Sequence, residues 1–540
     1  MLLKFSGRLF FILLALLFAL PIFSLVTVFF TESKGGMGLL ATSMPEYVGN
    51  TVILMICIGI LVMFIGVMSA WFITYYSFPG RRIFEVALFL PLSIPGYIVA
   101  YVYVNILGFG GPIQTTLREM FSWSKGDYYF PEVKSLFFCS VIMGFNLYPY
   151  VYMLARTAFI SIRSSVAVAT TLCCSRYKIL TSVVIPAVWP AVAAGVSLVL
   201  MEVVADFGTP QFLTINTFTT GIYRHWFLLH DKYSACVLAV VALSFVFVFL
   251  VVEKCMRCDD ASYSAIKMNA CYCYRWHFNS KLVITFIYFI CTLSVFMGFI
   301  LPVVPLICWT FERISLINYG DFFGVILNGI YIAGCAAIMV TVISIVMLCL
   351  TRGRGGLTYI VRFVSMGYAI PSTITAVGIV ILLGKVSQFI SENFFSMALI
   401  GTVAGLLYAY TFRFLAASTG PIESGLNRIP KEVDWASMLM GHNRISTCLN
   451  VHIPMLKKSI LVGFLLVFID SMKELSATLI IRPFNFETIS TRIYELVGDE
   501  RYMDAAPYAL ANVAMGLVSV IILFQIFQND KIRENRVNEY

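Results

Sequence analysis

Carboxylates standing inside apolar stretches are the residues of this chain best placed to do chemistry. Asp470, Lys473 and Glu474 fall in one such stretch at spacings i, i+3 and i+4, which would set all three on one helical face. Glu202 and Asp206 stand four residues apart in another. A charge at mid-bilayer costs roughly 2.5–3.5 kcal/mol on insertion scales, so these groups are expected to face a bundle interior or its mouth. Carboxylates are hard oxygen ligands, and a cation passing between two of them relieves their repulsion. The chemistry expected is transient handling of a cation, with Lys473 able to neutralise one pair. The competing reading is an ion-pair network that holds helices together without touching substrate. An enzyme is not expected, because no nucleophile and base stand at a recognisable spacing.

A second candidate centre is the cluster Cys255, Cys258, Cys271, Cys273 and His277. The ligand types suit zinc, but CxC is too close for the usual second pair, and the competing reading is a linker with reduced cysteines. The 14 cysteines fall mostly in apolar stretches or on the expected inner side, so no disulfide framework is expected. No GxxxxGK[ST] loop occurs, so this chain is not expected to cradle ATP in that way.

The elements that must position these groups are membrane helices. Of 540 residues, 60% are hydrophobic and 12% charged, against roughly 45–50% and about 25% in an ordinary soluble domain. Twelve apolar runs are long enough to cross about 30 Å of hydrocarbon. They lie at 9–30, 52–75, 86–107, 136–155, 187–205, 235–252, 282–309, 325–350, 363–383, 395–412, 459–481 and 505–527. The net charge of +9 is spread by loop rather than gathered for nucleic acid, and most of the 37 Lys and Arg fall in alternate loops. That asymmetry predicts cytoplasmic N- and C-termini. Lys4 and Arg8 precede the first run, which exceeds a signal-peptide core and has no Ala-x-Ala site after it, so a retained anchor is expected.

The chain is also written twice. Ile185-Pro186 and Gly195 recur as Ile453-Pro454 and Gly463 at a shift of 268, which also places Glu202 on Asp470 and Asp206 on Glu474. Ile94-Pro95 matches Ile370-Pro371 at 276, and Ile222-Tyr223 matches Ile493-Tyr494 at 271. Six runs per copy, an even number, make the copies parallel repeats, and their acidic pairs are expected to converge across the pseudo-twofold axis. The expected division is 1–254, a cytoplasmic linker 255–281, and 282–540. Tyr223 and Tyr494 could offer phenolic oxygens near an entrance, or serve as interfacial aromatics.

Two loops between runs have a common plan. In one, a short helix is predicted after Pro430 through Asp434, Trp435, Ala436 and Ser437, stopped by Gly441, with Pro454 thirteen residues on. In the other, Ala167, Val168 and Ala169 lead to Cys173, and Pro186 follows at the same distance. An acid with two alanines, a glycine and then an apolar–proline pair resembles the EAA loop of ABC importer permeases. The acid's own place is held by Trp435, with Asp434 just before it, and the first copy departs further. The segments Met201 to Thr209 and Asp470 to Thr478, with Arg482-Pro483-Phe484, Thr491 to Leu496 and Asp499 to Tyr502, are similar to fused ferric-iron permeases.

This resemblance implies an all-α, polytopic type I permease in the bacterial inner membrane. Its coupling loops, about 160–186 and 428–454, would carry coupling helices near 165–174 and 432–441. Two copies of a cytoplasmic ABC ATPase would dock there, using ATP and Mg, while this chain binds no cofactor of its own. A periplasmic ferric-iron-binding protein would deliver Fe3+, which passes as cargo on ligands not yet named. Transport would run by alternating access. Thiamine, spermidine, sulfate or phosphonate permeases have similar loops, and a proton-coupled carrier could use the same acids as a relay.

Overall fold

A computed structural model describes residues 2–31, 37–124, 127–171, 175–256, 281–352, 358–393 and 399–537. Every regular segment among them is helical, as an apolar backbone that must satisfy its own hydrogen bonds in lipid requires. Among the described residues, ten helices are long and apolar enough to cross a membrane. The pair Ile445–Met455 and Lys457–Lys473, bent by 79° at Leu456 between them, makes an eleventh if it is counted as one span.

The expected tenth run, 395–412, is corrected. The helix begins at Val403, where Oγ1 of Thr402 accepts from the Gly405 amide at 3.2 Å, and continues to Asn427. It carries buried Thr411, Arg413, Ser418 and Thr419, polar groups that protein neighbours rather than lipid must satisfy. The eleventh run, 459–481, is also divided, into Lys457–Lys473 and Ser476–Ile481.

Two compact units cut across the repeats read from the sequence. One comprises Met1–Leu40, Gly221–Val241 and Arg313–Tyr540. Its helix Leu2–Thr31 lies along Ser372–Asn393, and Oγ of Ser24 donates to the Gly378 carbonyl at 2.7 Å. A Cβ at Gly378 would stand 2.6 Å from the Pro21 carbonyl, so only glycine admits this crossing without movement. Pro21 has no amide to offer Leu17 four residues back, and the Tyr408 hydroxyl donates to that carbonyl instead. The core of this unit is Tyr319–Thr351, Val403–Asn427 and Lys457–Lys473 packed together.

The second unit comprises Ala41–Thr220 and Ala242–Glu312. Its helices Leu136–Ser161 and Ile185–Ala205 pack closely, and a Cβ at Gly195 would approach Cα of Val151 to 3.0 Å. Gly463 holds the corresponding position in the first unit, where a Cβ would meet Oγ of Ser418 at 3.0 Å. Lys281–Val295 joins this unit through Phe286 against Phe72 and a Tyr288 hydroxyl donating to the Pro79 carbonyl at 2.7 Å.

Candidate functional site

Each copy of the repeated span breaks at its acid. Ile185–Ala205 ends at Asp206, whose backbone is extended at φ −71° and ψ 124°. Lys457–Lys473 ends at Glu474, at φ −68° and ψ 120°. A new short helix follows two residues later in both, Gly208–Phe212 and Ser476–Ile481. The carboxylate caps that helix: Oδ1 of Asp206 accepts from the Thr209 amide at 3.3 Å, and Oε1 of Glu474 from the Ala477 amide at 3.1 Å. These amides lack partners within their own helix, which explains why an acid serves at that place.

This break changes the expected geometry. Glu474 has left the helix that carries Asp470 and Lys473, so the three do not share one continuous helical face, and Asp206 has likewise left the helix of Glu202. The i, i+4 reading assumed that the helix runs on, whereas the acid itself ends it.

Glu474 is buried, and its Oε2 lies 3.3 Å from Nε of Arg413, also buried. Arg413 stands one residue beyond the expected tenth run, 395–412, and so falls outside the candidates read from the sequence. The apolar residues that follow it were the available signal. In the other unit the space in front of Gly96 is bounded by Oδ2 of Asp206, Oγ1 of Thr209 and the side-chain amide of Asn146, at 3.4, 2.7 and 3.5 Å from where a Cβ would stand. Nearby hydroxyls hold the broken backbone: Thr219 Oγ1 donates to the Asp206 carbonyl at 2.8 Å, and Ser490 Oγ to that of Met472 at 2.9 Å.

The segments before these spans are also matched residue for residue. Short helix Arg176–Ile179, π-turn Leu180–Val184 and Ile185-Pro186 correspond at 268 to Arg444–Thr447, Cys448–His452 and Ile453-Pro454. Ahead of them lie Arg163–Thr171 and Lys431–Leu439. The second of these follows Pro430, and Gly441 takes the left-handed conformation expected of it, with φ +85°.

The Lys431–Leu439 helix divides its expected docking residues into two sets. Trp435 is 61% exposed and Leu439 90%, with Met438, Met440, Ala436, Gly441 and Pro454 also on the surface. Asp434 and Ser437 turn inward. Asp434 accepts from Nε of Arg352 at 2.6 Å and lies 2.6 Å from Nε2 of His452, while Oγ of Ser437 is 2.9 Å from Oγ1 of Thr447. Arg352 also donates to the carbonyls of Leu426 and Ile429, both at 2.8 Å, tying the helix to its neighbours.

In the first copy the residues matching Asp434 and His452 are Val166 and Val184, both buried, so apolar packing stands where the second copy has a hydrogen-bonded carboxylate and imidazole. Val168 is exposed there, as is Pro186. Cys173 lies outside the described residues, and Ala167 and Ala169 are placed on the helix by their backbone alone. Cys258, Cys271, Cys273 and His277 also lie outside the described residues, and of Cys255 only the backbone is described. No disulfide framework is expected from the sequence, and one pair is bonded among the described residues: Cys349 and Cys448 form a disulfide, with Cα atoms 6.2 Å apart. Their separation of 99 residues hides the pairing in the sequence.

Beyond the broken spans, Tyr223 and Tyr494 share a hydrogen bond between side chains. Burial pushes both phenols above their ordinary range, and the Arg482 cation draws Tyr223 partly back. Arg482 pairs with Glu495, and Arg492 lies 3.4 Å from Glu487. The turn before each tyrosine is built alike: Thr217 N donates to Thr220 Oγ1 at 2.8 Å, and Thr488 N to Thr491 Oγ1 at 3.0 Å.

Residues 350–529 match a family model described as the binding-protein-dependent transport system inner membrane component. The chain is 24% identical over 487 residues to the Fe(3+)-transport system permease protein FbpB 2 of Haemophilus influenzae, covering 89% of this chain and 90% of that protein. It is 22% identical over 505 residues to the ferric transport system permease protein FbpB of Actinobacillus pleuropneumoniae, covering 88% and 70%. The sulfate transport system permease protein CysT of Escherichia coli matches a shorter stretch, 24% identical over 157 residues, 28% of this chain and 52% of that one.

Proposed function

We propose, on the premise that this chain is a binding-protein-dependent transport permease of the inner membrane, that it imports ferric iron by alternating access. One observation carries the reading. A surface helix, a π-turn, an Ile-Pro step and a long helix ending at an acid occur twice at a constant shift of 268. A device repeated in that form suits a transporter driven by two equivalent engines. Two proteins matched over 89% and 88% of this chain are named for ferric iron.

In this reading both termini and both surface helices face the cytoplasm. Each helix receives one copy of an ABC ATPase, which uses ATP and Mg that this chain does not bind. Trp435, Met438 and Leu439 supply the apolar contact in the second copy and Val168 in the first, while Asp434 and Ser437 hold the helix in place. Asp206, Glu202, Asp470, Lys473 and Glu474 belong to the cation's pathway, each break placing a carboxylate, of the kind a hard cation accepts, beside interrupted backbone. Tyr223 and Tyr494 stand on the periplasmic side, where a binding protein delivers iron.

Deleting the segment from Asp434 to Gly441 tests the docking role. The ATPase is expected to be lost from the purified complex, and unchanged copurification overturns it. Uptake of labelled ferric iron against labelled sulfate in a reconstituted system tests the cargo, and sulfate uptake with no iron uptake overturns that part alone.

A further inference from the structure

The sulfurs of Cys349 and Cys448 and a ring nitrogen of His452 all lie within 4.8 Å of one another. They come from the last turn of Tyr319–Thr351 and from the π-turn Cys448–His452 that follows the surface helix. His452 is 5% exposed. Its Nε2 is held 2.6 Å from Oδ1 of Asp434, whereas buried Nδ1 has no hydrogen-bond partner among the described residues. A carboxylate at Nε2 favours the tautomer with its proton there, which leaves the Nδ1 lone pair available. The carboxylate–imidazole arrangement is the one that orients histidine ligands in metal centres.

We propose that Cys349, Cys448 and His452 form a binding site for a divalent cation of zinc type, with Asp434 as the positioning residue. Two thiolates and an imidazole match that borderline-soft cation, leaving a fourth position for water. The hard ferric ion is a poor match, so this site is separate from the cargo pathway. The inference rests on the proposed cytoplasmic location, where low-molecular-weight thiols reduce disulfides. Two such thiols become a disulfide as the Cys349–Cys448 pair takes up two electrons and two protons. The incoming cation then displaces both thiol protons.

The site belongs to the second copy alone. At the shift of 268 Cys448 falls on Leu180 and His452 on Val184. Occupancy would tie the end of Tyr319–Thr351 to the segment that anchors the surface helix, so metal content would set how firmly one of the two docking helices is held.

The test uses the full chain with its ATPase, reduced and anaerobic, with Cys255, Cys258, Cys271 and Cys273 replaced by serine. Titration with Co2+ is expected to give one equivalent with thiolate-to-metal absorption, displaced by Zn2+ and absent from Cys349→Ser and Cys448→Ser. Asp434→Asn is expected to weaken binding about 10–100-fold while the band persists. In the unsubstituted chain, Zn2+ is expected to protect Cys349 and Cys448 from alkylation, read by peptide mass spectrometry, which covers serine variants that do not fold. No cobalt band together with undiminished alkylation overturns the site, and so does a pair that stays disulfide-bonded under reductant. Labelling of Asn443 from outside the cell would overturn the cytoplasmic reading instead, so the two failures are distinguishable.

Discussion

Asp434 of the surface helix sits between Nε of Arg352 and Nε2 of His452, 2.6 Å from each. One carboxylate thereby joins the end of a long span, the surface helix and the π-turn after it. The neighbouring Trp435 faces outward, so adjacent residues have opposite tasks, one holding the helix and the other available to a partner.

Replacing Asp434 by alanine leaves a largely buried guanidinium without its counter-charge. Removing one member of such a pair costs on the order of 3–5 kcal/mol. Thermal unfolding in detergent is expected at lower temperature, with faster hydrogen exchange across 431–441. An unchanged melting curve would contradict the anchoring role.

Trp435→Ala is expected to do the reverse. Stability should move by no more than about 0.5 kcal/mol, as for exposed positions without special contacts. ATPase affinity should fall by roughly 30-fold, the loss of about 2 kcal/mol usual for a central aromatic anchor. A binding titration beside a thermal melt separates the two effects.

Gly441 has φ +85°, a conformation that costs a residue with a Cβ about 1–2 kcal/mol. Gly441→Val is expected to loosen the end of the surface helix and weaken ATPase binding, whereas Gly441→Asn should be tolerated better. Equal affinities for the two variants would contradict this.

Glu474→Gln keeps an oxygen for the Ala477 amide but deprives Arg413 of its counter-charge, and is expected to destabilise by about 3–5 kcal/mol. The double variant Arg413→Met with Glu474→Leu should recover much of that stability. If Glu474 lies on the cation's path, the double variant folds and assembles yet transports no iron; retained uptake would reduce the pair to a structural role.

His225 provides a pH prediction. Burial lowers its pKa from the ordinary 6.5, against the smaller upward pull of Asp231. The folded state therefore favours the neutral ring, and its contribution to stability is present above about 6.5 and lost as pH falls through the lowered folded value. Hydrogen-exchange protection of 221–231 should drop on acidification, and His225→Gln should remove that drop.

The helical class, the duplication and the surface helix ended by Gly441 were legible in the sequence because hydropathy, repeat shift and left-handed glycine are local signals. The break at Asp206 and Glu474 was not, since an acid capping the next helix has the same spacing as one on a continuous face. Arg413 lay just past the tenth apolar run, and its pairing with Glu474 was hidden because it spans 61 positions (474 − 413), as was the Cys349–Cys448 contact by its own separation. The exchange of Leu2–Thr31 and Lys281–Val295 between packing units leaves no mark in composition, because each helix is equally apolar in either place.

The central claim is that a partner ATPase drives this duplicated permease. Its most direct test is uptake of labelled ferric iron by vesicles containing the chain, its ATPase and the periplasmic binding protein. Uptake is predicted to require all three with ATP, and to survive collapse of the proton gradient. Uptake that proceeds without ATP and stops when the gradient collapses would contradict it.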